Sequence, residues 1–138
     1  MGYTHYWTQT RSFTAVEWAI ISNDIAALIA KSGVPIGDAH DDGGPAVFAF
    51  DHIAFNGVGA DAHETFWINR DIDGDGWSFC KTARKPYDRI VVACLIYLAS
   101  RWDYKVDSDG DKADWAGGLS LLSEVLPGIV IPANIGDS

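Results

Sequence analysis

KPYDRIVVACLIYLASRW, residues 85 to 102, is the stretch on which the fold turns. Pro86 stands where a first helical turn tolerates proline, and Ile90 to Trp102 then continues as a helix that is apolar on nearly every side. Such a helix belongs at the centre of a domain, so the rest of the chain must supply its cover. At 138 residues the chain has the length of one domain, residues 1 to 138, and enough surface to bury to form a core. Apolar residues make up 48% and include six Trp, which excludes general disorder.

Outward from the central helix, the covering elements are legible. Tyr3 to Thr8 is aromatic and β-branched and predicts a strand, with Tyr3, His5 and Trp7 on one face. Thr14 followed by Glu17 forms a capping box, and Trp18, Ile21, Ile25 and Leu28 recur at helical spacing until Gly33 and Pro35. GDAHDDGG, residues 37 to 44, predicts a loop, followed by short strands at Ala46 to Phe50 and Ile53 to Phe55. TFWIN, residues 65 to 69, predicts a strand that pairs with Trp77 to Cys80 as a hairpin across RDIDGDG. Tyr104 to Val106 predicts another strand. Trp115, Leu119, Leu122 and Leu126 mark one face of a last helix, which Pro127-Gly128 ends despite Gly117-Gly118 within it. The order predicts an α+β fold, a mostly antiparallel short-stranded sheet packed by about three helices.

Charge narrows the partners. The chain has 19 Asp and Glu against 10 Lys and Arg, a net charge of −9, which opposes bulk nucleic acid and anionic membranes. The start, MGYTHYWTQT, lacks the pattern of a secretory signal, and the run Ile90 to Ala99 is too short to span a bilayer, so a cytoplasmic location is expected. Cys80 and Cys94 have no metal-binding spacing and are expected to be reduced there.

Against this acidity, CKTARKPYDR (80 to 89) gathers Lys81, Arg84, Lys85 and Arg89. A helix start presents unpartnered N–H groups and a positive dipole end, so cations there oppose stability while favouring an anion. The expectation is an anionic, nucleotide-like small molecule held by Lys81, Thr82, Arg84 and Lys85. Tyr3, Trp7, Phe66 or Tyr87 would stack on its ring, and His5, Asn56 and His63 would supply directional hydrogen bonds.

A second reading is an enzyme, hydrolase or phosphodiesterase-like, with His63 and Glu64 moving protons. The recognised hydrolase, nucleotide and zinc-protease motifs are missing, and among the histidines only His63-Glu-Thr65 has the His-x-Thr form that two-histidine phosphoesterases carry twice. Cys80 beside Lys81 is a further nucleophile candidate if His5 or His63 comes near. DIDGDG matches the opening of a calcium loop through Asp71, Asp73 and Asp75, but Thr82 stands where the closing Glu belongs. Asp107-Ser-Asp109-Gly-Asp111 repeats part of that pattern with Lys112 in the glycine position. A third reading is an acidic inhibitor of a host protein, and the composition also permits a homo-oligomer.

GYTHYW (2 to 7), FNGVGADAHETF (55 to 66), FCKTARKPYD (79 to 88) and SDGDKADW (108 to 115) together resemble a group of uncharacterised small phage- and prophage-encoded proteins. The resemblance implies a setting in which capture of a host nucleotide signal would counteract host defence. It implies no mechanism, and DIDGDG lies between the shared blocks.

Overall fold

The computed structural model describes residues 2–38 and 44–137; the predicted loop at 37 to 44, with His40, lies largely outside them. Its helices are α1 (Ala15–Ser32), α2 (Asp88–Arg101) and α3 (Lys112–Val125). Its strands are β1 (Thr4–Thr8), β2 (Val47–Phe48), β3 (His52–Phe55), β4 (Phe66–Asn69), β5 (Trp77–Lys81) and β6 (Lys105–Ser108). The fold is α+β, as the pattern predicts, but the strands form two antiparallel sheets, β5-β1-β6 and β2-β3-β4.

Every residue of α2 from Ile90 to Leu98 is buried, against α3, α1 and the inner face of β5-β1-β6. The α1 capping box forms as read: Glu17 N–H donates to Thr14 Oγ1 at 3.2 Å, and Thr14 N–H to Glu17 Oε1 at 2.9 Å. Gly33, at φ 69°, closes that helix in the left-handed region. Asp111 and Asp114 build a second capping box at the start of α3. No helix among the described residues is long and apolar enough to cross a membrane.

The predicted hairpin between TFWIN and Trp77–Cys80 does not form: β4 pairs with β3, and β5 pairs with β1. The chain between Gln9 and Phe13 holds the intervening turn away from β4. Gln9 N–H donates to Gly76 O at 2.9 Å, Phe13 N–H to Arg70 O at 3.0 Å, and Ile72 N–H to Ser12 Oγ at 2.9 Å. Gly76 is required there, since a Cβ would stand 2.1 Å from Gln9 O. The last strand also shifts, from the expected Tyr104–Val106 to Lys105–Ser108, and the strand expected over Ala46–Phe50 shrinks to Val47–Phe48. Pro86 sits in the turn ahead of α2, whose first residue is Asp88.

The two glycines of α3 have opposite roles. A Cβ on Gly118 would lie 2.4 Å from Val92 Cγ1, so α2 and α3 approach each other through that position. A Cβ on Gly117 would meet nothing nearer than Arg89 Cγ at 3.9 Å. Gly118→Ala is therefore expected to lower stability by about 1–3 kcal/mol through overpacking. Gly117→Ala is expected to raise it by about 0.5–1 kcal/mol through helix propensity. Urea unfolding of the two variants checks both signs.

Candidate functional site

β1 is the middle strand of its sheet, and its alternation turns His5 and Trp7 toward α2. His5 is fully buried. Its Nε2 lies 2.6 Å from Asp88 Oδ1 and its Nδ1 2.7 Å from Ser108 Oγ. Thr82 Oγ1 donates to the same Asp88 oxygen at 2.5 Å. Ser108 Oγ accepts from Trp115 Nε1 at 3.1 Å and Gly110 N–H at 2.9 Å. With both lone pairs filled, its own proton goes to His5 Nδ1, which places the ring proton on Nε2, facing Asp88.

The chain Ser108–His5–Asp88 has the composition of a hydrolytic triad, but its hydroxyl has no lone pair left for attack. It ties β6, β1 and α2 together, and Trp115 brings α3 into the same tie. Tyr3 and Trp115 meet the His5 ring edge-on at 5.0 and 5.6 Å between centroids.

Asp88 also answers the charge at the start of α2. Its carboxylate occupies the first turn, where the peptide dipoles favour a negative group, and it bonds His5 and Thr82 without capping the helix N–H groups. Thr82 and Tyr87 are buried, Arg89 Nε donates to Gly117 O at 3.1 Å, and Lys85 is half-buried.

Arg84 behaves differently. Ala83 and Arg84 both sit at positive φ, 53° and 58°, a conformation unfavourable for side chains with a Cβ. That turn lays the Arg84 guanidinium over the Tyr3 ring, 3.9 Å from its centroid, and within 2.8 Å of Asp114 Oδ1. The hydrogen bond from Arg84 holds the Asp114 carboxyl below its usual range. Burial, with Asp88 nearby, pushes the Tyr3 hydroxyl up to about 12. Gly2, Tyr3, Ala83, Arg84 and Asp109 line an open cleft of about 540 Å³, and the Lys81 side chain crosses beside Gly2.

The histidine and carboxylate cluster does not assemble an acid–base pair. Asn56, buried, closes the 56–65 loop: its Nδ2 donates to His63 O at 2.9 Å, and its Oδ1 accepts from His63 N–H at 3.0 Å. His63 itself is exposed, whereas the Glu64 carboxylate accepts Lys81 N–H at 2.7 Å. Glu64 O accepts from Tyr87 Oη at 2.5 Å and from Cys80 Sγ at 3.4 Å. Cys80 is buried, and burial, reinforced by Glu64, pushes its thiol up to about 12; the thiolate expected beside Lys81 is thus disfavoured.

Asp71, Asp73 and Asp75 are exposed, Asp75 Oδ1 accepts Trp77 N–H, and among the described residues no three His, Cys, Asp or Glu side chains converge for a metal. In the second acidic stretch, Asp109 accepts from Thr4 N–H and Tyr6 Oη, and Asp111 caps α3.

Of the residues expected to touch a ligand, Arg84 lines the cleft and the Lys81 side chain lies against Gly2, which also lines it. Tyr3, Trp7, Phe66 and Tyr87 are core, although the Tyr3 ring also lines the cleft. The sequence reading missed aromatic side chains that reach the surface, among them Trp67 (41% exposed), Trp77 (54%) and Phe79 (46%). The period of two in FWIN and WSFCK carried that signal, since the neighbours Phe66, Ile68 and Cys80 point inward. Comparison of the chain with models of known protein families, with curated proteins and with solved structures finds no match.

Two outcomes follow from the buried network. Asp88→Ala leaves the His5 Nε2–H and the Thr82 hydroxyl without an acceptor, and a loss of about 1–3 kcal/mol is expected in urea unfolding. Cys80, buried and with its thiol pushed up by that burial, is expected to stay inert to a thiol reagent at pH 8 until the protein unfolds. Labelling of the Cys94→Ala variant followed by absorbance checks this.

Proposed function

We propose that this protein binds a small anionic, nucleotide-like molecule in the cleft between Tyr3 and Arg84. The observation that carries the reading is the strained Ala83–Arg84 turn, which keeps an Arg side chain, 60% exposed, stacked on Tyr3 at the cleft. Two non-glycine residues in the left-handed region cost on the order of 1–3 kcal/mol each, and such strain collects where a side chain must be held for a purpose. Asp114 takes Nη1 of Arg84 alone among the described residues, which leaves Nε and Nη2 to grip phosphate or carboxylate. Lys81, beside Gly2, adds a mobile charge, and a volume of about 540 Å³ suits a mononucleotide-sized ligand.

Binding is favoured over turnover, because Ser108 and Glu64 are engaged within the fold and Cys80 is held as a thiol. In the phage-like setting that the shared sequence blocks suggest, retention of a host nucleotide signal in the host cytosol is the purpose we assign. Calorimetry with mono-, di- and cyclic nucleotides tests it. Arg84→Ala and Lys81→Ala are each expected to weaken binding about 10- to 100-fold, one charge-assisted hydrogen bond apiece. The melting temperature is expected to change little, since solvent screens an exposed pair such as Arg84–Asp114. Equal affinity in both variants would reject the cleft, and recovery of altered nucleotide would favour the enzyme reading with His63.

A further inference from the structure

A second cleft, of about 100 Å³, lies where β4 of one sheet approaches β5 of the other, and it shares no lining residue with the Arg84 cleft. Trp67 and Trp77 stand in its lining with Gln9, Asn69, Asp73 and Ser78. Two indoles exposed by 41% and 54% are costly to leave in water unless something covers them.

Both indoles are braced by residues outside the cleft. Trp67 stacks on the His52 ring at 4.1 Å with planes 1° apart, and Asp51 Oδ1 holds His52 Nδ1 at 2.7 Å. Trp77 packs against Tyr6 at 6.3 Å, nearly parallel, and against Phe79 at 5.4 Å. Because His52, Tyr6 and Phe79 do not line the cleft, each indole is supported from elsewhere and meets the cleft already in place. Little ordering entropy is left for a ligand to offset.

The polar groups around the indoles decide the chemistry. Trp67 Nε1 donates to Asn69 Oδ1 at 3.0 Å, which fixes the amide and leaves its NH₂ as the donor available to a ligand. Among the described residues, the Asp73 carboxylate and the Ser78 hydroxyl have no hydrogen-bond partner. Donors and acceptors are therefore mixed, Asp73 opposes an anion, and neither Lys nor Arg lines the cleft. A quaternary ammonium would use the indoles and Asp73 but would leave Asn69 and Ser78 unpaired on binding. An uncharged sugar ring uses all of them, its C–H face on an indole and its hydroxyls on Asn69, Asp73 and Ser78. We propose that the Trp67–Trp77 cleft binds a neutral saccharide through one pyranose ring.

The test uses the full chain and its own tryptophan fluorescence. Titrants are the methyl glycosides of glucose, galactose, mannose and N-acetylglucosamine, and linear malto-, cello- and chito-oligosaccharides, with choline and inorganic phosphate alongside. Saturable binding of at least one saccharide is expected, and calorimetry follows that ligand through the variants. Trp67→Ala and Trp77→Ala are expected to weaken it tenfold or more, Asp73→Asn several-fold, and Arg84→Ala not at all. Trp77→Phe, which keeps a ring, is expected to retain part of the affinity, so loss of stacking is separable from loss of fold. Absence of binding by every saccharide at millimolar concentration, affinity unchanged in both Trp→Ala variants, or a preference for choline would each overturn the proposal. A failure of the Arg84 cleft to take nucleotides would leave it standing.

Discussion

Helix α2 has no side that can face water, and the architecture is largely the set of answers to that constraint. Burial from Ile90 to Leu98 requires a cover on each flank, supplied by α1, α3 and the inner face of β5-β1-β6. The cover on the α3 side is so close that only hydrogen fits at Gly118. Polar cross-ties then set orientation where apolar packing is non-directional: the Tyr97 hydroxyl donates to Asp24 of α1, and Trp102 Nε1 donates to Tyr97 Oη at 2.9 Å.

The charges obey the same economy. A basic segment ahead of a helix conflicts with the helix dipole, and the fold resolves the conflict with carboxylates close to the basic groups. Asp88 enters the first turn and is shared by His5 and Thr82, while Asp114 serves both Arg84 and the cap of α3. What remains open is the part of Arg84 that these carboxylates do not claim. Two of the four basic side chains of this segment are tied to neighbouring elements, Arg84 to Asp114 and Arg89 to Gly117 O, and the Arg84 guanidinium stays exposed beside a cleft.

Legibility in the sequence followed the range of the interactions. The Thr14–Glu17 box spans three residues, and Trp18, Ile21, Ile25 and Leu28 are all buried as their spacing predicts. The pairing of β5 was misread because its partner, β1, lies about seventy positions away, while β4 is a short turn distant and equally strand-like. Which aromatics are core was misjudged for a local reason: Phe66 and Trp67 are adjacent, and only the phase of the strand decides which one faces water. The bond between His5 and Asp88, 83 residues apart, has no sequence signature. The candidate ligand residues therefore divided in a way the sequence did not predict, with Lys81 and Arg84 near a cleft and His5, Asn56, Thr82 and Tyr87 holding the frame.

The His5–Asp88 tie also constrains how such a chain can diverge. A first substitution at either position strands a polar group in the interior, so a lineage must pass through a destabilised intermediate before a second change repairs it. Positions 5 and 88 are thereby coupled, and Thr82 and Ser108, bonded to the same pair, share that constraint.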